Sequence, residues 1–353
     1  MQVSVERFEL RKRHALTISR GTITGSVNLV VRVTHDGITG LGEMAPGDVR
    51  ETADAAEVDL QTWAALLDAL APWQRQEVDD VLAAHPGRSA AAAGLDLALH
   101  DWLGKRAGLP VWKLWGLSLA RIEPTSLTVG INPPDVVREK VPEIMTRTGA
   151  RVLKVKLGNP DGIEHDQASF VAAQEAAAAL TAEPVRWRVD ANGGWEPDAA
   201  VTMIGWLAER SVEYVEQPLA RGREADLPYV FARTVLPLYA DESVRVAADV
   251  PALADRVHGV NLKLMKTGGL AEAMRLVHTA RAHGLKVMIG CMGESSLSIT
   301  AGAHLSPLVD HVDLDSHLNL LTDPFIGAAW SGGRVVPNDK PGLGVSLSAV
   351  EEA

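Results

Sequence analysis

The chain has 353 residues, 46% hydrophobic and 22% charged, a composition that suits a globular protein of one large or two modest domains. Its net charge of -11 argues against a general nucleic-acid or anionic-membrane surface, since both need basic patches, although one local arginine or metal can still hold an acidic substrate. A single cysteine, Cys291, leaves no internal disulfide, the first residues lack the apolar core of a signal peptide, and no run approaches the roughly 20 apolar residues of a membrane span, so the expected compartment is the cytoplasm.

Residues 3–10 and 27–33 read as strands, with Gly37, Gly40 and Gly42 turning the chain around a third, a small antiparallel meander. His14 to Ser26, carrying Arg20-Gly21 and Gly25, reads as a polar mobile loop, and Met44 to Arg50 reads as a second. From Thr52 to Gly108 the sequence is alanine-rich, with apolar residues three and four apart as in Leu95, Leu99, Trp102 and Leu103, which predicts helices. His100 on that stretch reads as a core or interdomain histidine rather than a ligand. These residues predict an α+β domain over the first 120 positions.

After Arg121 short apolar strands alternate with longer helical stretches. The predicted strands are 124–130, 151–156, 185–190, 212–216, 236–240, 259–263, 286–290 and 311–315, with amphipathic helices such as 198–210 and 269–283 between them. Eight βα units at this spacing predict an α/β fold built as a closed (β/α)8-type barrel, whose site sits at the C-terminal ends of the strands. The segment after Leu320 has no regular alternation.

The strand ends give a short polar vocabulary. Lys154 and Lys156 end the second strand on one side, since side chains repeat with period two, and two crowded ammonium groups favour losing a proton from one of them. Asp190 ends the third strand, Glu216 the fourth, and Asp241-Glu242 follows the fifth. Neighbouring strands lie ~5 Å apart, so these three carboxylates converge and repel unless a cation sits among them. Oxygen-only ligands predict a hard ion, Mg2+ first and Mn2+ as an acceptable substitute. Lys156 precedes the metal strands and Lys263 follows them, so the two lysines are expected to face each other across a metal-bound substrate. Such a pair can move a proton at the carbon next to a bound carboxylate: one removes it, the enediolate is stabilised by the metal, and the other returns it to the opposite face. Lys266 lies past the strand end, either as a charge supporting the site or as plain surface.

Taken in order, Lys154-Val-Lys156, Asp190 with Asn192, Glu216-Gln-Pro218, Asp241-Glu-Ser243 and Lys263 within Asn261-Leu-Lys-Leu-Met-Lys-Thr-Gly-Gly269 resemble the enolase superfamily, specifically its muconate-lactonising subgroup. The resemblance implies a modified (β/α)7β barrel over 121–320, an N-terminal α+β capping domain over 1–120 with two substrate-covering loops, and a segment 321–353 returning to the cap. It implies Asp190, Glu216 and Asp241 as metal ligands and Lys156 and Lys263 as the acid/base pair. Asn192, Glu242 and Lys266 are expected behind them.

Within the subgroup, Asp313-Leu-Asp315 looks like the dipeptide epimerase signature, in which two carboxylates meet the substrate's free α-ammonium. A cationic amine in a closed site needs a paired anion. Cys291 and Met292, in a stretch resembling the family's seventh-strand segment, are expected to line the same pocket with Lys154; Cys291 reads as packing rather than as a nucleophile. Arg20 falls where some members hold the side-chain carboxylate of Ala-Glu, which makes L-Ala-L/D-Glu the leading substrate. The resemblance also leaves an N-acylamino acid racemase, an o-succinylbenzoate synthase or a cycloisomerase on the same scaffold, and outside catalysis a small-molecule binding protein with a vestigial site. A homo-oligomer is a family expectation. His304, His311 and His317 lack the spacing of a zinc motif and read as core or surface.

Overall fold

Alternating side chains over the first 44 residues build a three-stranded antiparallel sheet: β1 (Gln2–Ile18), β2 (Gly21–His35) and β3 (Ile38–Met44). The computed structural model describes residues 1–47 and 51–348. The expected mobile loop from His14 to Ser26 is instead hairpin: β1 pairs with β2 from Gln2↔Thr34 to Arg11↔Gly25, shifts register, and resumes from Leu16↔Ile23 to Ile18↔Gly21. Its polarity reflects exposure rather than a lack of pairing, since most of residues 20–27 are exposed while 28–31 are buried. Only Ser19-Arg20 is left as the turn. The second expected loop falls partly at 48–50, outside the described residues.

Helices α1 (Ala53–Leu67), α2 (Arg75–Ala84) and α3 (Ser89–Ala107) follow, then the single turn α4 (Val111–Leu114). β3 runs unusually close to α3. A Cβ on Gly42 would stand 2.0 Å from the Gly94 carbonyl oxygen, and one on Gly40 2.1 Å from that of Ala98, so both positions require glycine.

The barrel then runs β4 (Leu127–Val129), α5 (Pro134–Thr148), β5 (Val152–Lys156), α6 (Ile163–Leu180), β6 (Arg186–Asp190), α7 (Pro197–Ala208), β7 (Val212–Glu216), α8 (Leu227–Phe231), β8 (Leu238–Ala240), β9 (Gly259–Lys263), α9 (Leu264–Thr267), α10 (Leu270–Ala282), β10 (Lys286–Gly290), α11 (Ser296–Leu305) and β11 (His311–Val312). The eight strands are parallel and neighbours in chain order, as the βαβ rhythm predicts. Between β8 and β9 the connection contains a 3-10 turn, Ala247–Ala252, rather than a full helix. The predicted last strand, 311–315, ends at Val312.

The seam between first and last strands is thin. Thr125 bridges Val312, and the Ser126 N–H donates to the Val312 carbonyl at 3.0 Å. The final segment forms β12 (Phe325–Ile326) paired with β15 (Ser346–Leu347), and the hairpin β13 (Ala329–Ser331) with β14 (Arg334–Val336). It also touches the first domain, where the Leu343 N–H donates to Asp101 Oδ1 at 2.7 Å and the Val111 N–H to the Gly342 carbonyl at 3.0 Å.

Candidate active site

Parallel register brings the acidic strand ends together. Asp190 stands opposite Glu216 across β6 and β7, and Asp241 follows the last residue of β8. All three are buried, and each offers an oxygen within 4.8 Å of the others. Burial and then the charge of Asp190 push the Glu216 carboxyl up to about 7. Three mutually repelling buried carboxylates are a poor arrangement for a protein alone and a good one for a divalent cation. The donor set fits Mg2+.

Four buried lysines compensate that charge. Lys156 Nζ sits 2.5 Å from Asp190 Oδ2, and Lys263 Nζ sits 2.8 Å from Asp241 Oδ2. Lys156 on β5 and Lys263 on β9 thus grip opposite ends of the triad and line one cavity. Lys154 bonds Asp313 and reaches Glu216 Oε2 at 3.3 Å. The expected mutual repulsion of Lys154 and Lys156 does not set the protonation of Lys154: burial pulls its pKa down, but Asp313, Glu216 and Asp190 hold it well above the ordinary lysine range. Burial likewise acts on Lys263, and Asp241 with Glu216 raises it overall. Lys266 is no surface residue; its Nζ donates to the carbonyls of Asp241 at 2.6 Å and Asn261 at 3.0 Å and pairs with the Asp241 carboxylate.

Asp313 and Asp315 lie just past β11, where period two no longer governs side-chain direction, yet both line the cavity of the lysines together with Cys291 and Met292. Ser126 Oγ donates to Asp313 Oδ1 at 2.5 Å, and the Thr128 N–H donates to Asp315 Oδ2 at 2.7 Å. Burial, then Asp313, raises the pKa of Asp315. Cys291 Sγ lies 3.8 Å from Asp315 Oδ1, and burial with that carboxylate raises the thiol well above its usual range, which argues against a thiolate nucleophile.

Arg20, at the hairpin turn, reaches over the metal strands. Its guanidinium pairs with Glu242 Oε1 at 2.7 Å and donates to the Asn192 carbonyl at 2.9 Å. Asn192 Nδ2 in turn donates to Glu242 Oε1 at 3.2 Å. Arg20, Asn192, Glu242 and Lys266 line a second cavity, which shares Lys263 and Met292 with the first.

Two supporting residues went unassigned in the sequence. Asn261 Nδ2 donates to Glu216 Oε1 at 2.6 Å. Its signal was available, since it precedes Lys263 by two on β9 and so shares its face. Gln217 Oε1 accepts from the N–H groups of Asp241 at 2.8 Å and Ser243 at 3.3 Å. Gln217 and Asn192 hold positive φ, 36° and 43°, within two residues of the ends of β7 and β6; asparagine commonly takes this left-handed backbone, but glutamine seldom does, so the sequence does not announce the turn at Gln217.

Two family models match nearly the whole chain: the mandelate racemase / muconate lactonizing enzyme N-terminal domain over residues 2–116 and the enolase C-terminal domain-like model over 136–352. The hydrophobic dipeptide epimerase of Roseobacter litoralis is 51% identical over 353 residues, covering 99% of each chain. The L-Ala-D/L-Glu epimerase of Bacteroides thetaiotaomicron is 36% identical, covering 98% of this chain and 88% of its own. The solved dipeptide epimerase of Enterococcus faecalis, complexed with Mg and L-Leu-L-Tyr, superposes with a TM-score of 0.87 at 32% identity, covering 98% of this chain and 99% of that one. The ordered carboxylates, the opposed lysines and these matches agree, and the chain belongs to the mandelate racemase / muconate lactonizing enzyme family of the enolase superfamily.

Proposed function

We propose that this dipeptide epimerase inverts the α-carbon of the C-terminal residue of its substrate, with apolar dipeptides preferred. The observation that carries the reading is the placement of Lys156 and Lys263 at opposite ends of the buried triad, in one cavity with Asp313 and Asp315. Asp190, Glu216 and Asp241 would hold Mg2+, whose chemistry is Lewis-acid stabilisation of charge developing on a carboxylate.

The α-proton passes to the Nζ of one lysine and its electron pair moves onto the substrate carboxylate as an enediolate. The opposite lysine then donates a proton to the other face of the same carbon. The raised pKa of Lys263 comes from bare carboxylates, so a base role requires their charge to be neutralised first. Asp313 and Asp315 receive the α-ammonium, which fixes the distance from amine to reacting carbon and selects a dipeptide over an N-acylamino acid or a lyase substrate.

Apolar preference is supported by Arg20. Its charge is already met by Glu242 and the Asn192 carbonyl, so a substrate carboxylate would have to displace an existing ion pair. The 51% identical relative bears the corresponding name. The cytoplasm remains the proposed compartment; among the described residues no helix is long and apolar enough to cross a membrane.

Proton NMR of L,L-dipeptides in D2O with Mg2+ tests the reading. Loss of the C-terminal α-proton signal with new diastereomer peaks is expected, and Leu-Tyr-like dipeptides should outrun Ala-Glu. Each single variant, Lys156→Ala or Lys263→Ala, should lose inversion. Exchange is expected to survive in each only for the epimer whose α-proton faces the remaining lysine. Normal inversion by either variant refutes the two-base scheme.

A further inference from the structure

We propose that Glu43, a residue of the cap, is a positioning residue that sets the Cys291–Met292 wall of the substrate site; this rests on the dipeptide-epimerase reading above. Glu43 lies on β3 and is fully buried. Its Oε1 accepts from Asn28 Nδ2 at 2.7 Å and from the Ser295 N–H at 3.0 Å. Its Oε2 accepts from the Ser295 hydroxyl at 2.7 Å and the Ser298 N–H at 3.1 Å. Ser295 is the N-cap of α11 and Ser298 lies in its first turn, so a cap-domain carboxylate satisfies orphan donors at the positive end of a barrel helix. Four donors saturate a carboxylate and fix its orientation.

Asn28 on β2 is the second jaw of the same grip. Its Nδ2 also donates to the Gly293 carbonyl at 2.8 Å, and Ser26 Oγ reaches that carbonyl at 3.3 Å. Both jaws close on residues 293–298, directly after Cys291 and Met292. Within that loop Glu294 Oε1 accepts from the Met292 N–H at 2.8 Å, and the Glu294 N–H donates to Ser316 Oγ at 2.9 Å, beside Asp315. Met292 lines both cavities, whereas Glu43 and Asn28 line neither. The cap therefore acts on substrate through the loop. A carboxylate that only glued cap to barrel would change stability and the active fraction, but not how the surviving enzyme ranks its substrates.

The test compares the Mg2+-loaded wild type with Glu43→Gln and Asn28→Ala, measuring kcat and KM for each member of a dipeptide panel alongside Tm. Glu43→Gln keeps the shape but turns one acceptor into a donor facing donors. KM is expected to rise about fivefold or more, with a flattened ranking across the panel and kcat within about threefold. Asn28→Ala should move KM in the same direction by less. Unchanged KM and ranking in both variants, whatever happens to Tm, overturns the proposal. If Glu43→Gln fails to fold, Asn28→Ala decides alone by the same criterion. A wild type inactive on every dipeptide refutes the epimerase reading and this inference with it, whereas an active wild type with indifferent variants refutes the inference only.

Discussion

Lys154 is placed to balance buried charge rather than to move a proton. It is buried against Asp313, Glu216 and Asp190, and those carboxylates hold its proton firmly. Lys154→Met should leave three carboxylates short of a counter-charge and cost about 3–5 kcal/mol, read by urea unfolding at fixed Mg2+. Asp315→Asn makes a different demand. It removes one charge from the proposed ammonium seat while keeping an acceptor for the Thr128 N–H, so KM for dipeptides should rise about tenfold with kcat little changed. A rise in kcat/KM for N-acylamino acids in that variant would support the same role. At this scale the proposed metal ligands and the two proposed acid/base lysines stood out in the sequence because each is a charged residue at or just past the end of an apolar strand. Gln217 did not, because its role depends on a left-handed turn that lets one side chain accept from the amides just past the next strand.

At the scale of elements, the contact of β3 with α3 decides how closely the cap is built. Gly42→Ala would drive a methyl into the Gly94 carbonyl, where backbone rather than a flexible side chain must yield. The expected loss is about 3 kcal/mol, checked by chemical denaturation. The βαβ rhythm was legible because parallel strands buried on both faces read as short apolar runs. The first hairpin was misread beyond residue 13. Leu16-Thr-Ile18 and Thr22-Ile-Thr24 carry the alternating β-branched signal of paired strands, but Arg20-Gly21 and Gly25 drew the reading toward a loop. Its turn nevertheless puts Arg20 on Glu242, so the strand form is what delivers a cap residue to the metal strands.

For the whole molecule, three histidines, His304 buried and His311 and His317 half-buried, contribute to the response to acid. Burial lowers His304, His311 and His317 to about 4. His304 Nδ1 accepts from the Trp112 N–H at 3.2 Å while Nε2 bonds the Leu343 carbonyl, so a second ring proton would face a donor. A folded pKa below the unfolded 6.5 means the unfolded chain binds more protons between these values. Stability from this group is therefore complete above pH 6.5 and drains as pH falls toward 4. Between pH 7 and 5 the wild type should lose about 2 kcal/mol more than His304→Gln, measured by urea unfolding at both pH values. A second property of the whole barrel follows from its thin seam. Asp313 and Asp315 tie the first barrel strand to the end of the last through Ser126 and Thr128, so the thin joint and the proposed ammonium seat share two carboxylates. A bound dipeptide then works as a fastener. At a hundredfold over Kd, mass action adds about 2.7 kcal/mol to the closed form. The slowing of deuterium uptake should be concentrated at the amides of Ser126 and Thr128, so that occupancy can be read from the rim of the barrel without watching any reaction.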